Sequence, residues 1–121
     1  MTPLRATCHC GGVELRVTLS AGMDSARRCD CSFCMRRGAV AVSALVGDLQ
    51  VVRGADLLTR YSFGTHTAQH FFCSRCGIYT HHKRRSNPNE FGVNAACLDG
   101  VNIRDMGEIG WVDGVNHPSD L

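Results

Sequence analysis

Cysteines grouped in short segments constrain this chain more than any other feature of its sequence. Seven of the eight cysteines form two pairs and a triplet: Cys8 and Cys10, Cys29, Cys31 and Cys34, and Cys73 and Cys76. The eighth, Cys97, stands alone. Zinc requires several thiolates within about 2.3 Å of one ion, and closely spaced cysteines supply them from a single stretch of backbone. The grouping therefore predicts a zinc-binding protein.

The composition indicates why a chain of this length would use a metal. Its 121 residues are 44% hydrophobic only when the cysteines are included, and only 7% are aromatic. We expect one domain over residues 1–121 whose core is thin for its length, a deficit that a structural metal can offset. The sequence shows neither a signal peptide nor an apolar run long enough to span a bilayer, so we predict a cytoplasmic protein.

Hydrophobic periodicity predicts a mainly β fold. Residues 13–19 alternate strictly between apolar and polar side chains, as in a strand with one buried face. Further strands are predicted at residues 39–45, 49–53, 57–63, 69–72, 78–82 and 91–96. A turn at Gly47 and Asp48 would separate the first two of these, and one helical turn is expected at residues 32–37, ended by Gly38. From Val101 onward the chain is expected to wrap the surface, with Trp111 as its anchor.

The two cysteine pairs can together form a closed tetrahedral site, with Cys8, Cys10, Cys73 and Cys76 as its ligands. Residues i and i+2 of an extended segment face the same way, so the first pair can reach one ion. The second pair is a Cys-x-x-Cys turn followed by Gly77, where a positive φ directs amide groups toward the sulfurs. We predict a structural zinc that ties the start of the chain to a distant strand.

The triplet Cys29, Cys31 and Cys34 predicts a different kind of site. Three thiolates leave one position of a tetrahedral ion for water or an external thiolate, which is the mark of a catalytic or ligand-binding zinc. We expect two zinc ions in all, with the second site the less fully occupied, and we expect the chemistry at the triplet.

Three alternatives to this assignment stay open at the level of sequence. An even number of cysteines can form disulfides, although that pattern is typical of small secreted proteins. The triplet with Cys97 could hold an iron–sulfur cluster, whereas on its own Cys97 is typical of a small buried hydrophobic residue. His9 or His70 could also replace a cysteine as a metal ligand.

The charge of the chain argues against nucleic-acid and membrane-surface binding. The formal net charge is +2 when every cysteine is counted as neutral. One Zn²⁺ with four thiolates changes the charge by about −2 and a second with three thiolates by about −1, which leaves about −1. Such a protein lacks the strong positive field that those partners require. One local basic segment, residues 81–85, is either a solvated turn or a binding site for a small anion.

Four segments, in this order and spacing, resemble the glutathione-dependent formaldehyde-activating enzyme family, which includes centromere protein V. They are CHCGGV at residues 8–13, CDCSFCMRRG at 29–38, FCSRCG at 72–77 and VNAACLD at 93–99. The resemblance implies twisted antiparallel sheets in a tent-like arrangement similar to the Mss4-like group. It also implies a structural zinc on the two pairs and a second, active-site zinc on the triplet.

Family resemblance further implies carbon–sulfur lyase activity, in which the thiol of glutathione adds to formaldehyde to give S-hydroxymethylglutathione. Arg36 and Arg37, together with residues 83–85, are expected to contact the carboxylates of the thiol ligand. His81 or His82 is the expected general base, unless both are exposed loop residues. The chain is shorter than the glutathione-using members, so another small thiol or thioether is an alternative substrate.

The rival interpretation is a zinc-binding interaction module without catalytic activity. Metal content distinguishes the two: the enzyme would carry two ions, one of them responsive to thiols, and the module a single tightly held ion. The sequence carries no prediction of the oligomeric state or of the physiological substrate.

Overall fold

The computed structural model describes residues 2–116, in which nine strands form one mainly antiparallel sheet. The strands are β1 (Leu4–Thr7), β2 (Glu14–Leu19), β3 (Arg27–Cys29), β4 (Ala41–Arg53), β5 (Leu58–Tyr61), β6 (Gln69–Cys73), β7 (Tyr79–Lys83), β8 (Glu90–Asn94) and β9 (Gly110–Val112). Their main order across the sheet is β1-β2-β4-β8-β7-β6-β5, with β3 between β4 and β9. The mainly β fold class predicted from the sequence is thus confirmed.

The helices are short and lie between strands. They are the α-helix α1 (Ser32–Arg37) and 3-10 turns at Gly22–Ser25, Ala55–Leu57, Ala95–Cys97 and Ile103–Met106. Helix α1 has the predicted bounds, and Gly38 ends it in the left-handed conformation with a φ of 69°. No helix in residues 2–116 is long and apolar enough to cross a membrane.

The core is built largely on β2, β4 and the strands next to them. Leu15, Val17 and Leu19 alternate with more exposed residues along β2 and are buried, as the strict alternation in the sequence predicted. They pack with buried residues of the neighbouring strands, including Val42 of β4 and Val93 of β8. Most of the buried hydrophobic residues are valine, alanine or leucine.

The predicted turn at Gly47 and Asp48 is wrong, because β4 runs without reversal through thirteen residues. Pairing with β2 is irregular at this point: Val17 lies opposite Leu49, whereas Leu19 lies opposite Ala44. Four residues of β4 therefore face a single residue of β2. Strand β8 pairs with β4 up to Leu45 and β2 pairs with it again from Leu49, so the turn-forming residues between them form a bulge within a long strand.

Three short strands, β1, β3 and β9, were missed by the sequence pattern, since each has too few residues to show a period. The segment beyond Val101 packs on the core through partly buried residues such as Ile103 and Ile109. Trp111 is 57% exposed, so its expected role as the anchor is wrong. Residues 117–121, which the wrapping prediction also covered, lie outside the described residues.

Candidate metal centres and the cavity beside them

Four cysteine sulfurs converge at one end of the sheet, and we call this group the first cluster. Its members are Cys8, Cys10, Cys73 and Cys76, whose sulfurs all lie within 4.8 Å of one another. The Sγ atoms of Cys8 and Cys10 are 3.6 Å apart, and those of Cys10 and Cys73 are 3.7 Å apart. Thiolates around a tetrahedral zinc at 2.3 Å would be roughly 3.8 Å apart, so this donor set fits that ion.

Turns, more than extended strand, bring these sulfurs together. Cys8 and Cys10 follow β1 in a turn in which the Gly11 amide donates to the Cys8 carbonyl oxygen over 3.2 Å. The expected extended geometry of this pair is therefore wrong, although the pair does converge. At the other pair, Gly77 has the predicted positive φ, 77°, and its amide donates to the Cys73 carbonyl oxygen over 2.7 Å.

Backbone amides direct hydrogen bonds at the sulfurs of the first cluster. The Val13 amide donates to Cys8 Sγ over 3.3 Å, and the Gly12 amide donates to Cys10 Sγ over 3.4 Å. Backbone groups of Cys10 and Ile78 lower the pKa of the Cys76 thiol to about 6. Such donors stabilise thiolates, the form in which cysteine binds a metal.

The second cluster consists of Cys29, Cys31 and Cys34, whose sulfurs also lie within 4.8 Å of one another. Cys29 ends β3, Cys31 caps the N-terminus of α1, and Cys34 lies in that helix. The cap itself uses sulfur, because the Cys34 amide donates to Cys31 Sγ over 3.2 Å. The strand-to-helix transition therefore places three thiols around one point.

Residues 110–116, which we call the strap, close one side of the second cluster. Strand β9 runs parallel to β3 and places Val112 beside Cys29. The buried Gly114 donates its amide to Asp30 Oδ1 over 2.7 Å. A Cβ atom on Gly114 would lie only 2.5 Å from Cys29 Sγ, so only glycine allows the backbone this close to the sulfur.

All eight cysteines are free thiols, which contradicts the disulfide alternative. Within the second cluster, a hydrogen bond between Cys29 and Cys34 lowers the pKa of Cys29 to about 5 and raises the pKa of Cys34. One thiol of the group therefore ionises readily. Cys97 is buried outside both clusters, as expected for a small hydrophobic residue, and burial raises its pKa to about 11.

A cavity of about 120 Å³ opens beside the second cluster, whose three cysteines line it. The arginines along its wall are Arg27, Arg37, Arg84 and Arg85. Among the described residues, no Asp or Glu lines it. Glu90, which does not line the cavity, forms an ion pair with Arg84, with 2.6 Å between Glu90 Oε1 and Arg84 Nη1. The cavity thus combines a thiol cluster with a positively charged wall.

Arg37 connects the second cluster to a buried histidine. Its Nη2 donates to Cys34 Sγ over 3.4 Å, and its Nη1 donates to His70 Nδ1 over 2.9 Å. The guanidinium lies 3.7 Å from the centre of the Tyr79 ring, a cation–π contact that holds it in place. Because arginine can only donate, His70 must accept at Nδ1 and carry its proton on Nε2.

The predicted ligand-contacting and base residues separate into two sets. Arg37 and His82 line the cavity, whereas Arg36 is exposed and donates to the Ser32 carbonyl oxygen over 2.7 Å. His81 and His82 belong to β7, where His81 is buried and His82 is half-buried, so the expectation of exposed loop histidines is wrong. His81 stacks on Phe71 outside the cavity.

Burial keeps the cavity histidines neutral. It lowers the pKa of His70 to about 4, with a further contribution from Arg37, and it lowers the pKa of His82 well below its usual value. Tyr79 Oη lies 2.6 Å from His82 Nδ1. Both imidazoles are therefore neutral at physiological pH, and His70, which accepts at Nδ1, can donate from Nε2.

Sequence reasoning missed Arg27, Asp30 and Gly114 as parts of this region. Arg27 and Cys29 are i and i+2 of one strand and share its face, a signal that recognition of β3 would have provided. Asp30 and Gly114 are 84 positions apart in the sequence, and no local sequence pattern predicts the hydrogen bond between them.

Comparison with known proteins agrees with this architecture. A family model described as glutathione-dependent formaldehyde-activating enzyme matches residues 3–110. A crystal structure of a Rhodobacter sphaeroides protein is 64% identical in sequence, with a TM-score of 0.88, over 89% of this chain and 99% of that one. The matched region contains both cysteine clusters and the walls of the cavity except Val112.

Proposed function

Because this chain belongs to the glutathione-dependent formaldehyde-activating enzyme family, we propose that it is a zinc-dependent carbon–sulfur lyase. Its reaction joins a thiol to formaldehyde, or splits the adduct in reverse, as in S-hydroxymethylglutathione formation from glutathione. The observation that carries this proposal is the second cluster: three converging thiols at the wall of a cavity that can admit a small molecule.

The two clusters would divide the metal between them. The first cluster supplies four sulfurs and no position for a ligand, which is typical of a structural zinc. The second supplies three, so an external thiol can complete its coordination. Zinc bound there would lower the pKa of such a thiol, which then reacts as a thiolate at neutral pH.

The bonds and protons of the reaction balance without an oxidant or reductant. A bond forms between the thiol sulfur and the carbon of formaldehyde, and the carbonyl π bond breaks. The carbonyl oxygen takes up one proton, and the thiol gives up one. His82 lines the cavity as a neutral imidazole and can carry this proton, His70 can donate a hydrogen bond from Nε2, and Arg37 holds Cys34 in position.

Metal analysis of purified protein tests this proposal. We expect two zinc ions per chain in the wild type and about one in Cys31→Ser, because a two-thiolate site binds zinc weakly. Titration with glutathione should perturb the second site of the wild type only. Cys97→Ser is the matched control: it removes a thiol outside both clusters and should keep two ions.

Two results would contradict the proposal. If Cys31→Ser kept both ions and bound thiols like the wild type, the second cluster would not be the active site. If the wild type held one tightly bound ion while the cysteines of the second cluster reacted freely with an alkylating reagent, the chain would be a non-catalytic zinc module.

A further inference from the structure

The cavity beside the second cluster is small for a tripeptide. Its volume of about 120 Å³ lies below the roughly 300–1,000 Å³ of pockets that enclose larger ligands. A molecule that binds wholly inside it would have only a few non-hydrogen atoms. The volume of the cavity therefore favours the binding of short thiols over that of glutathione.

Charge on the cavity wall divides into two parts. Arg37 is already engaged with Cys34, His70 and the Tyr79 ring, so its charge serves the cluster. Arg27, Arg84 and Arg85 lie along the rest of the wall. Arg84 is held by Glu90, which offsets part of its charge, whereas Arg27 Nη1 bonds only to neutral oxygens, those of Ser25 and Ser43 among the described residues.

Two buried guanidinium nitrogens at this wall have no hydrogen-bond partner among the described residues: one is Arg37 Nε, and the other is Arg27 Nη2. Arg84 lines the same cavity as Arg27, so two guanidinium groups border one space. A buried donor without an acceptor costs free energy, and an anion between the two groups would satisfy it.

Strand geometry sets the distance from this anion site to the metal cluster. Arg27 and Cys29 are i and i+2 of β3, so their Cα atoms lie about 7 Å apart and their side chains share one face. Both side chains line the cavity. A ligand that spans from the cluster to the Arg27 guanidinium needs only a short carbon chain.

We propose that the substrate of this cavity is a short thiol carrying a carboxylate, with its sulfur at the second cluster and its carboxylate between Arg27 and Arg84. This inference rests on the proposed function, since it assumes that a thiol binds at the second cluster. It specifies the size and the charge of that thiol, and it assigns to Arg27 the binding of the carboxylate.

The test uses protein in which cobalt replaces zinc, because a thiol that joins the cobalt changes its thiolate-to-metal absorption. The probes are mercaptopropionate, mercaptopropanol and glutathione; the first two share a three-carbon chain and differ only in the carboxylate. We expect mercaptopropionate to bind about tenfold more tightly than mercaptopropanol, the difference that a charged hydrogen bond supplies. It should also bind more tightly than glutathione.

Arg27→Gln should lower the affinity for mercaptopropionate about tenfold and leave that for mercaptopropanol unchanged. Arg84→Gln should act in the same direction and serves if Arg27→Gln does not fold. The control is Arg16→Gln, which removes the same charge from an exposed position of β2 and should change neither affinity.

The outcomes separate this inference from the proposed function. Equal affinities for the two three-carbon thiols in the wild type would overturn carboxylate recognition, and tighter binding of glutathione would overturn the size limit. Both results would leave the lyase proposal standing. If no thiol changed the cobalt absorption, the proposed function would fail and this inference with it.

Discussion

Gly114 makes the closest backbone approach to the second cluster. An added Cβ would lie 2.5 Å from Cys29 Sγ and 2.8 Å from the Cys31 amide nitrogen, so Gly114→Ala must displace either the strap or the sulfurs. Displacing groups next to metal ligands typically lowers affinity tenfold or more. We therefore expect the variant to bind its weaker zinc about tenfold less tightly in a competition titration with a chromogenic chelator.

Gly110→Ala is the matched control for this prediction. Gly110 lies in the same strap, has no heavy atom within 4 Å of its added Cβ and needs no positive φ. It should bind zinc like the wild type. If Gly114→Ala also did so, the strap would not be fixed against the cluster.

Individual ligands were predictable from the sequence because zinc chemistry demands a particular atom at a particular spacing. Every cysteine of the two clusters was identified from spacing alone, and the structure brings each set of sulfurs together. Arginines carry no such signature, because most of them lie on the surface. Arg36 and Arg37 were indistinguishable in sequence, and only the direction of helix α1 places the second of them in the cavity.

Beyond the pairing of β9 with β3, one carboxylate holds the end of the strap. Asp30 follows β3 and accepts the Gly114 amide, so Asp30→Ala should free that amide. A lost hydrogen bond to a charged acceptor corresponds to about a tenfold or greater rise in local opening. Hydrogen exchange should accordingly accelerate about tenfold at Gly114.

Asp30→Asn retains an acceptor oxygen and should restore most of the protection at Gly114. Asp48→Ala, at an exposed position of β4, should leave the strap unchanged. If Gly114 in Asp30→Ala exchanged its amide hydrogen at the wild-type rate, β9 would hold the strap without the carboxylate.

Strands were predicted correctly where the hydrophobic alternation was long, and incorrectly where pairing with neighbouring strands determines the conformation. The alternation in β2 fixes its buried face, so local sequence is sufficient there. Gly47 and Asp48 favour a turn locally, but β4 pairs with β8 before them and with β2 after them, and the strand continues. Strands as short as β3 and β9 exist through their pairing with each other, which a single segment cannot reveal.

The stability of the fold should fall as the pH is lowered, and His81 is one cause. Burial against Phe71 and Phe91 lowers its pKa to about 4, whereas the unfolded chain has a value near 6.5. Between these two values the unfolded state binds more protons, so stability rises with pH across this window. His81 alone should account for a loss of about 2 kcal/mol between pH 6.5 and pH 5.

Urea unfolding of the metal-loaded protein at several pH values measures this effect. His81→Phe should show a shallower pH dependence than the wild type, because its side chain cannot take up a proton. Thr80→Val removes the hydroxyl that lies 2.8 Å from His81 Nδ1, and it should lower stability while keeping the pH dependence. An unchanged slope in His81→Phe would refute this account.

The spacing of the first cluster has a consequence for biosynthesis. Cys8 and Cys10 emerge from the ribosome long before Cys73 and Cys76, so a nascent chain cannot complete the four-sulfur site until most of it has been translated. The three sulfurs at residues 29–34 emerge together and can capture an ion early. If zinc fills both clusters as proposed, the more exchangeable ion is the one whose ligands become available as a set first.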